Sequence, residues 1–247
     1  MRRLVVISLV SLVLVAPARG RAGERVSEVI HSNARVLEKG ETIVGVITPL
    51  AFGILEKVTV FTHPALHLLL TPNFWGRVSV LDGRLGLALE GGYQQSFLSL
   101  QESGDGDDAE PRYPGLLQLG GVFSFSFNKH WQASLGLGYL AEFDTRGGGS
   151  TTTGWYYRAV GQWLITRRNL VQVSVRGSKY GETPMDWPLF QAIFARQFGR
   201  MRLGGGLSVG EFVIDTGGTQ VNEQTGNILP ETRTLPVYPW LDAWWRF

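Results

Sequence analysis

The feature that most constrains this chain is a strict two-residue alternation. From Trp131 to Phe143 the odd positions are Trp131, Ala133, Leu135, Leu137, Tyr139, Ala141 and Phe143. The even positions are Gln132, Ser134, Gly136, Gly138, Leu140 and Glu142, only one of them bulky and apolar. Successive side chains of a strand point to opposite faces, so this stretch reads as a strand with one apolar and one polar face. The pattern recurs over 85–94, 117–127, 171–178 and 202–213. Glycine is frequent (32 of 247 residues) but follows no three-residue period, which excludes collagen, and 44% hydrophobic residues exclude a disordered chain. With no cysteine there is no disulfide framework and no thiolate metal site.

The connections between these strands come in two kinds. Short ones are predicted at 82–84, 128–130, 166–169 and 199–200, and long polar ones at 100–114, 144–154, 181–187 and 215–232. They alternate along the chain, which describes an antiparallel meander with tight turns on one rim and loops on the other.

The bulky face is too large to fit inside a small soluble barrel. It is also aromatic near strand ends, at Tyr93, Trp131, Phe143, Trp155 and Trp163, as expected of rings lying at the two membrane interfaces. After Val15 no apolar run approaches the ~20 residues of a membrane helix. The fold class expected is therefore all-β, a transmembrane antiparallel up-and-down β-barrel; the alternative is a secreted β-sandwich. Closure follows from the lipid, because an open edge would leave backbone groups unpaired in hydrocarbon.

Residues 1–18 read as a signal peptide: Arg2 and Arg3, an apolar core from Leu4 to Val15, then Ala16-Pro17-Ala18, with Ala22 as a second possible cut. Its removal takes away two arginines and no acid, leaving 21 basic side chains against 21 acidic ones. That balance gives no reason to expect a nucleic-acid partner. Residues 19–40 form an N-terminal segment (a tail, a plug or a first strand), and 41–247 the barrel.

The end of the chain alternates again: Leu235, Val237, Leu241, Ala243, Trp245 and Phe247 share one face, and Phe247 is the last residue. Together with the leader and the strand pattern, this resembles the outer-membrane β-barrel proteins of Gram-negative bacteria. The resemblance implies residence in the bacterial outer membrane, with Trp245 and Phe247 in the assembly signal. It implies as partners outer-membrane lipid, lipopolysaccharide and the barrel-assembly machinery, and it places the short turns in the periplasm. The stretch 37–73 also resembles uncharacterised barrels of this class through Gly40, Pro49, Gly53 and Pro72-Asn73.

About twelve strands are expected, with ten as the alternative. In the twelve-strand reading, 41–50 is one strand descending to a turn at 52–57, and a further strand rises within 24–38. Pro64 and Pro72 bracket a loop or short helix.

Parity puts Arg77, Glu90, Glu142, Arg158, Arg176, Arg202, Asp242 and Arg246 on the polar, lumen-lining face. One reading is a narrow pore or passive transporter for small solutes, with these charges setting selectivity. The other is a structural or surface-interaction barrel whose lumen is plugged by arginine–carboxylate pairs, since wide aqueous channels need roughly 16–18 strands. A third is a lipid-modifying enzyme using His31 and Ser32. Outer-membrane lipases and lipid A deacylases resemble this arrangement, but they carry His-x-Ser, which keeps both groups on one strand face, whereas these two residues are adjacent. His63 and His67 have helical spacing for a metal pair without an HExxH pattern. Asp105, Asp107, Asp108 and Glu110 form an acidic loop without the rest of a calcium motif. No catalytic residue, metal or cofactor is assigned.

Overall fold

The computed structural model describes residues 33–68, 70–97, 113–144, 151–181, 188–221 and 228–247. Twelve strands follow in order: β1 (Thr42–Gly45), β2 (Leu50–Leu55), β3 (Val58–Thr62), β4 (Asn73–Leu81), β5 (Leu85–Gln95) and β6 (Pro114–Ser126). Then come β7 (Trp131–Asp144), β8 (Thr152–Leu164), β9 (Asn169–Tyr180), β10 (Leu189–Phe198), β11 (Met201–Val221) and β12 (Ile228–Arg246). One short helix, α1 (Pro64–Leu68), lies between β3 and β4. No helix among the described residues is long and apolar enough to cross a membrane.

Each strand pairs antiparallel with its sequence neighbour, and β1 closes onto β12 through Ile43–Arg246, Val44–Trp245 and Gly45–Trp244. The seam is finished by the last residue, whose N–H and C=O bond to Thr42 at 2.8 and 3.1 Å. The turns at 56–57, 82–84, 127–130, 165–168 and 199–200 share one rim with this seam, and the 46–49 turn and α1 lie at the opposite ends of their strands.

The alternation sorts as lipid requires. Leu135, Leu137, Val173, Phe194 and Leu207 are exposed on the outside, at 46, 53, 54, 47 and 56%. Their neighbours Gln132, Ser134, Gln172 and Ser208 are buried inside. An apolar outer surface on a closed barrel, with polar groups turned inward, is the architecture of an outer-membrane β-barrel.

Twelve strands are present, but the first is not where periodicity puts it. The stretch 41–55 is a hairpin, not one descending strand, and residues 33–38 are no strand at all. The reversal at 46–49 is held by the carboxylate of Asp242, which accepts from the N–H groups of Ile47 (2.9 Å) and Thr48 (2.8 Å) and from the Thr48 hydroxyl. Residues 215–221 and 228–232, expected within a loop, are strand instead, because β11 and β12 continue pairing past shifts in register at Val209/Phe212 and Asp215/Thr219. Such bulges let a ladder pass positions that break the alternation.

Strand length is uneven. β1, β2 and β3 have 4, 6 and 5 residues, whereas β11 and β12 have 21 and 19. Above Ala243, whose carbonyl accepts from the Val46 N–H, the β1-facing edge of β12 has no strand partner among the described residues. Odd residues of β12 face that edge, and Pro239, which lacks an N–H, is one of them.

Candidate functional site

Residues 33–38 run inside the barrel near the short-turn rim. This strap is held by side chains that strands present inward. Thr59 on β3 accepts from the Leu37 N–H (2.7 Å), Ser124 on β6 accepts from the Ala34 N–H (2.8 Å), and Arg77 on β4 donates to the Arg35 carbonyl (3.0 Å). Ser124 and Ser134 are hydrogen-bonded to each other (2.8 Å). The approach depends on Gly53, where any Cβ would collide with the Glu38 carbonyl. Leu37 is fully buried among Ile43, Ala51, Phe61, Leu170, Ala195 and Trp244, an apolar cluster inside the barrel flanked by Trp75 and Trp240. Ala34 packs on Ala88 and Val122.

A charged bridge adjoins the strap. Arg77 donates through Nε to Glu90 (2.7 Å) and through Nη2 to the same oxygen. From β8, Arg158 donates through Nη2 to both carboxylate oxygens of Glu90 (2.8 and 2.9 Å). Arg77 also lies over the Phe61 ring, 5.0 Å from its centroid. Glu90 thus ties β5 to β4 beside it and to β8 farther round the wall. The side chain of Arg77 is 3% exposed, that of Glu90 10% and that of Arg158 25%, so this bridge is largely out of water. Glycine makes room for it: a Cβ on Gly136 would meet the Arg158 side chain at 2.7 Å, and one on Gly138 would fall on the Tyr156 ring. Two guanidiniums on one desolvated carboxylate fix a bridge in place; they do not form a row of hydrated charges.

The other lumen-parity residues have separate surroundings. Arg202 is buried, its guanidinium 5.8 Å from the Trp244 ring. Arg246 pairs with Glu41, whose other oxygen accepts from the Glu38 N–H (3.1 Å), so this pair holds the strap where it leaves the seam. Asp242 is occupied by the 46–49 turn. Glu142 and Arg176 form no ion pair among the described residues. Periodicity finds the inward face but not the partners, which are 13 and 68 residues apart for Glu90. A plug was one of the readings for 19–40, but most groups that fasten the strap, among them Thr59, Arg77 and Ser124, lie far from it in the chain.

Of the aromatic residues, Trp131 and Trp163 stack on the outside at the short-turn rim, with centroids 5.1 Å apart and planes at 6°. Tyr93 and Phe143 stack at 6.2 Å toward the other rim, where Trp155 is also exposed. Trp245 pairs with Val44 across the seam. His67 contacts the Thr62 hydroxyl (2.6 Å) and the Phe74 ring, and the His63 N–H donates to Asn73 (2.7 Å). His31, Ser32, Asp105, Asp107, Asp108 and Glu110 lie outside the described residues.

No protein-family model matches the chain, and no curated protein matches it. Among solved structures it is similar to in-vitro-folded OmpT, an outer membrane protein of Vibrio cholerae, in its trimer form. The identity is 7% and the TM-score 0.49, over 81% of this chain and 64% of that one. For outer-membrane-expressed OmpT of Vibrio cholerae the values are 8% and 0.48, over 81% and 64%. The chain thus spans about 64% of the length of the structures it matches, and the likeness is one of barrel architecture alone.

Proposed function

We propose that this chain is a bacterial outer-membrane barrel forming a passage for small solutes that its own N-terminal strap holds closed at rest. The observation behind the reading is how the strap is held. Residues 33–38 belong to no ladder; they are fastened by side-chain hydrogen bonds, among them those to Thr59, Ser124 and Arg77 on three strands. A segment fastened in this way can leave without opening the wall. The strap and the apolar cluster around Leu37 occupy part of the interior near the short-turn rim, beside a cavity lined by Arg35, Gln132, Gln162 and Leu170. The signal peptide, insertion by the barrel-assembly machinery, and contact with outer-membrane lipid and lipopolysaccharide belong to the same proposal.

Planar-bilayer recording of the refolded full chain tests it. The wild type passes rare, brief openings. Thr59→Val combined with Ser124→Ala removes two of the hydrogen bonds that fasten the strap to the wall and raises the open fraction at least tenfold. If this double variant, shown to be folded, stays silent at high protein load, the barrel is a permanently plugged scaffold, and the long loops become the place to look for function.

A further inference from the structure

We propose that the short-turn rim is a collar that binds the headgroups of anionic lipids. The five short turns carry Lys57, Arg84, Lys129, Arg167, Arg168 and Arg200, all exposed, against two acids, Glu56 and Asp82. Asp82 is engaged by the Ser79 hydroxyl at 2.8 Å. Arg196, at the end of β10, adds another exposed cation to the same rim.

The placement of the arginines favours lipid over a soluble polyanion. Arg84 lies over Phe125 (5.2 Å to the centroid), Arg196 over Phe198 (5.4 Å) and Arg200 over Phe247 (5.9 Å). Two of these rings are on the outer face of β6 and β10 and the third follows the end of β12, so each guanidinium is held where the wall meets the membrane boundary. The stacked pair Trp131–Trp163 stands on the same rim, and aromatic belts mark the headgroup level. A guanidinium resting on a lipid-facing ring has its apolar side covered and N–H groups left for phosphate oxygens; Arg84 keeps three of its five, its Nε and Nη2 donating to the Ser126 and Phe127 carbonyls at 3.2 and 3.5 Å. Each cation near an anionic surface contributes a factor of about five in affinity, and the attraction fades once the screening length falls to a few ångströms.

The test uses the full chain reconstituted in phosphatidylcholine vesicles, with tryptophan fluorescence quenched by brominated phosphatidylglycerol or brominated phosphatidylcholine. The expected result is a phosphatidylglycerol preference of about twofold or more at low salt, averaged round the barrel, that falls to parity in 1 M salt. In the triple variant Arg84→Gln, Arg196→Gln, Arg200→Gln the preference drops to near parity at low salt, while the heat-dependent gel migration of the folded barrel is unchanged. Equal quenching by the two lipids in the wild type overturns the proposal, as does a triple variant that keeps the full preference. So does finding that the detergent-solubilised chain binds a soluble polyanion such as a peptidoglycan fragment while vesicles show no lipid preference. If the triple variant fails to fold, Lys57→Gln with Lys129→Gln, at turn tips away from these rings, must lower the preference; no change there is equally fatal.

Discussion

Replacing Glu90 by Gln removes one charge from the bridge while keeping its shape. Arg77 and Arg158 then face each other across a neutral amide, with Arg77 only 3% exposed. Breaking a desolvated ion pair by neutralising one partner costs about 3–5 kcal/mol, whereas an exposed pair is worth about 1 kcal/mol or less. Arg158 is 25% exposed and partly screened, which sets the expectation at the lower end, about 3 kcal/mol. At about 1.4 kcal/mol per factor of ten, that is more than a hundredfold in the folding equilibrium. The measurement is reversible urea unfolding of the full chain in lipid vesicles, read by tryptophan fluorescence and by heat-dependent gel migration. Glu142→Gln is the control, the same chemistry at an inward position without an ion pair among the described residues; it shifts stability by less than about 0.5 kcal/mol. If the two variants differ by less than about 1 kcal/mol, the lumen around Glu90 is as wet as a protein surface, and the bridge is no plug.

Three further outcomes follow from the packing. Gly138→Ala puts a methyl group against the Tyr156 ring and costs about 1–3 kcal/mol in the same unfolding assay, with Gly161→Ala, where the nearest atom is 3.4 Å away, the tolerated comparison. Asp242→Ala leaves the N–H groups of Ile47 and Thr48 without their acceptor and lowers stability by about 1–3 kcal/mol; limited proteolysis then cuts first within 42–55, at the seam. Trp131→Ala breaks the stacked pair with Trp163 and costs about 0.5–1.5 kcal/mol beyond the lost burial; a double-mutant cycle with Trp163→Ala returns that coupling.

The middle of the barrel was legible because lipid makes alternation compulsory. Over β5–β9 the outward positions away from the strand ends are apolar or glycine, and 11–14 residues per strand give the period room to show. In β1–β3 the strands are 4–6 residues long, so Ile43, Gly45 and Ile47 pass for one strand when a reversal lies within them. What ends β1 is the carboxylate of Asp242, nearly 200 positions away, and no local reading finds it. The bridge was half legible: parity placed Arg77, Glu90 and Arg158 on one face, but which charges meet depends on register and on the glycines of β7. α1 falls where Pro64 starts a helix cleanly, its missing N–H being one that a first turn leaves unbonded in any case.

The shortness of β1–β3 bears on the bilayer itself. Four to six residues at ~3.3 Å each, tilted ~40°, reach about 10–15 Å, while an apolar barrel band is ~25 Å tall. Hydrophobic mismatch is therefore confined to one sector of the circumference, where lipid tails must tilt or compress and the membrane thins. The same sector contains the β1–β12 join, a ladder of three residue pairs. Thickening the bilayer with longer acyl chains thus strains this barrel where it is least stitched.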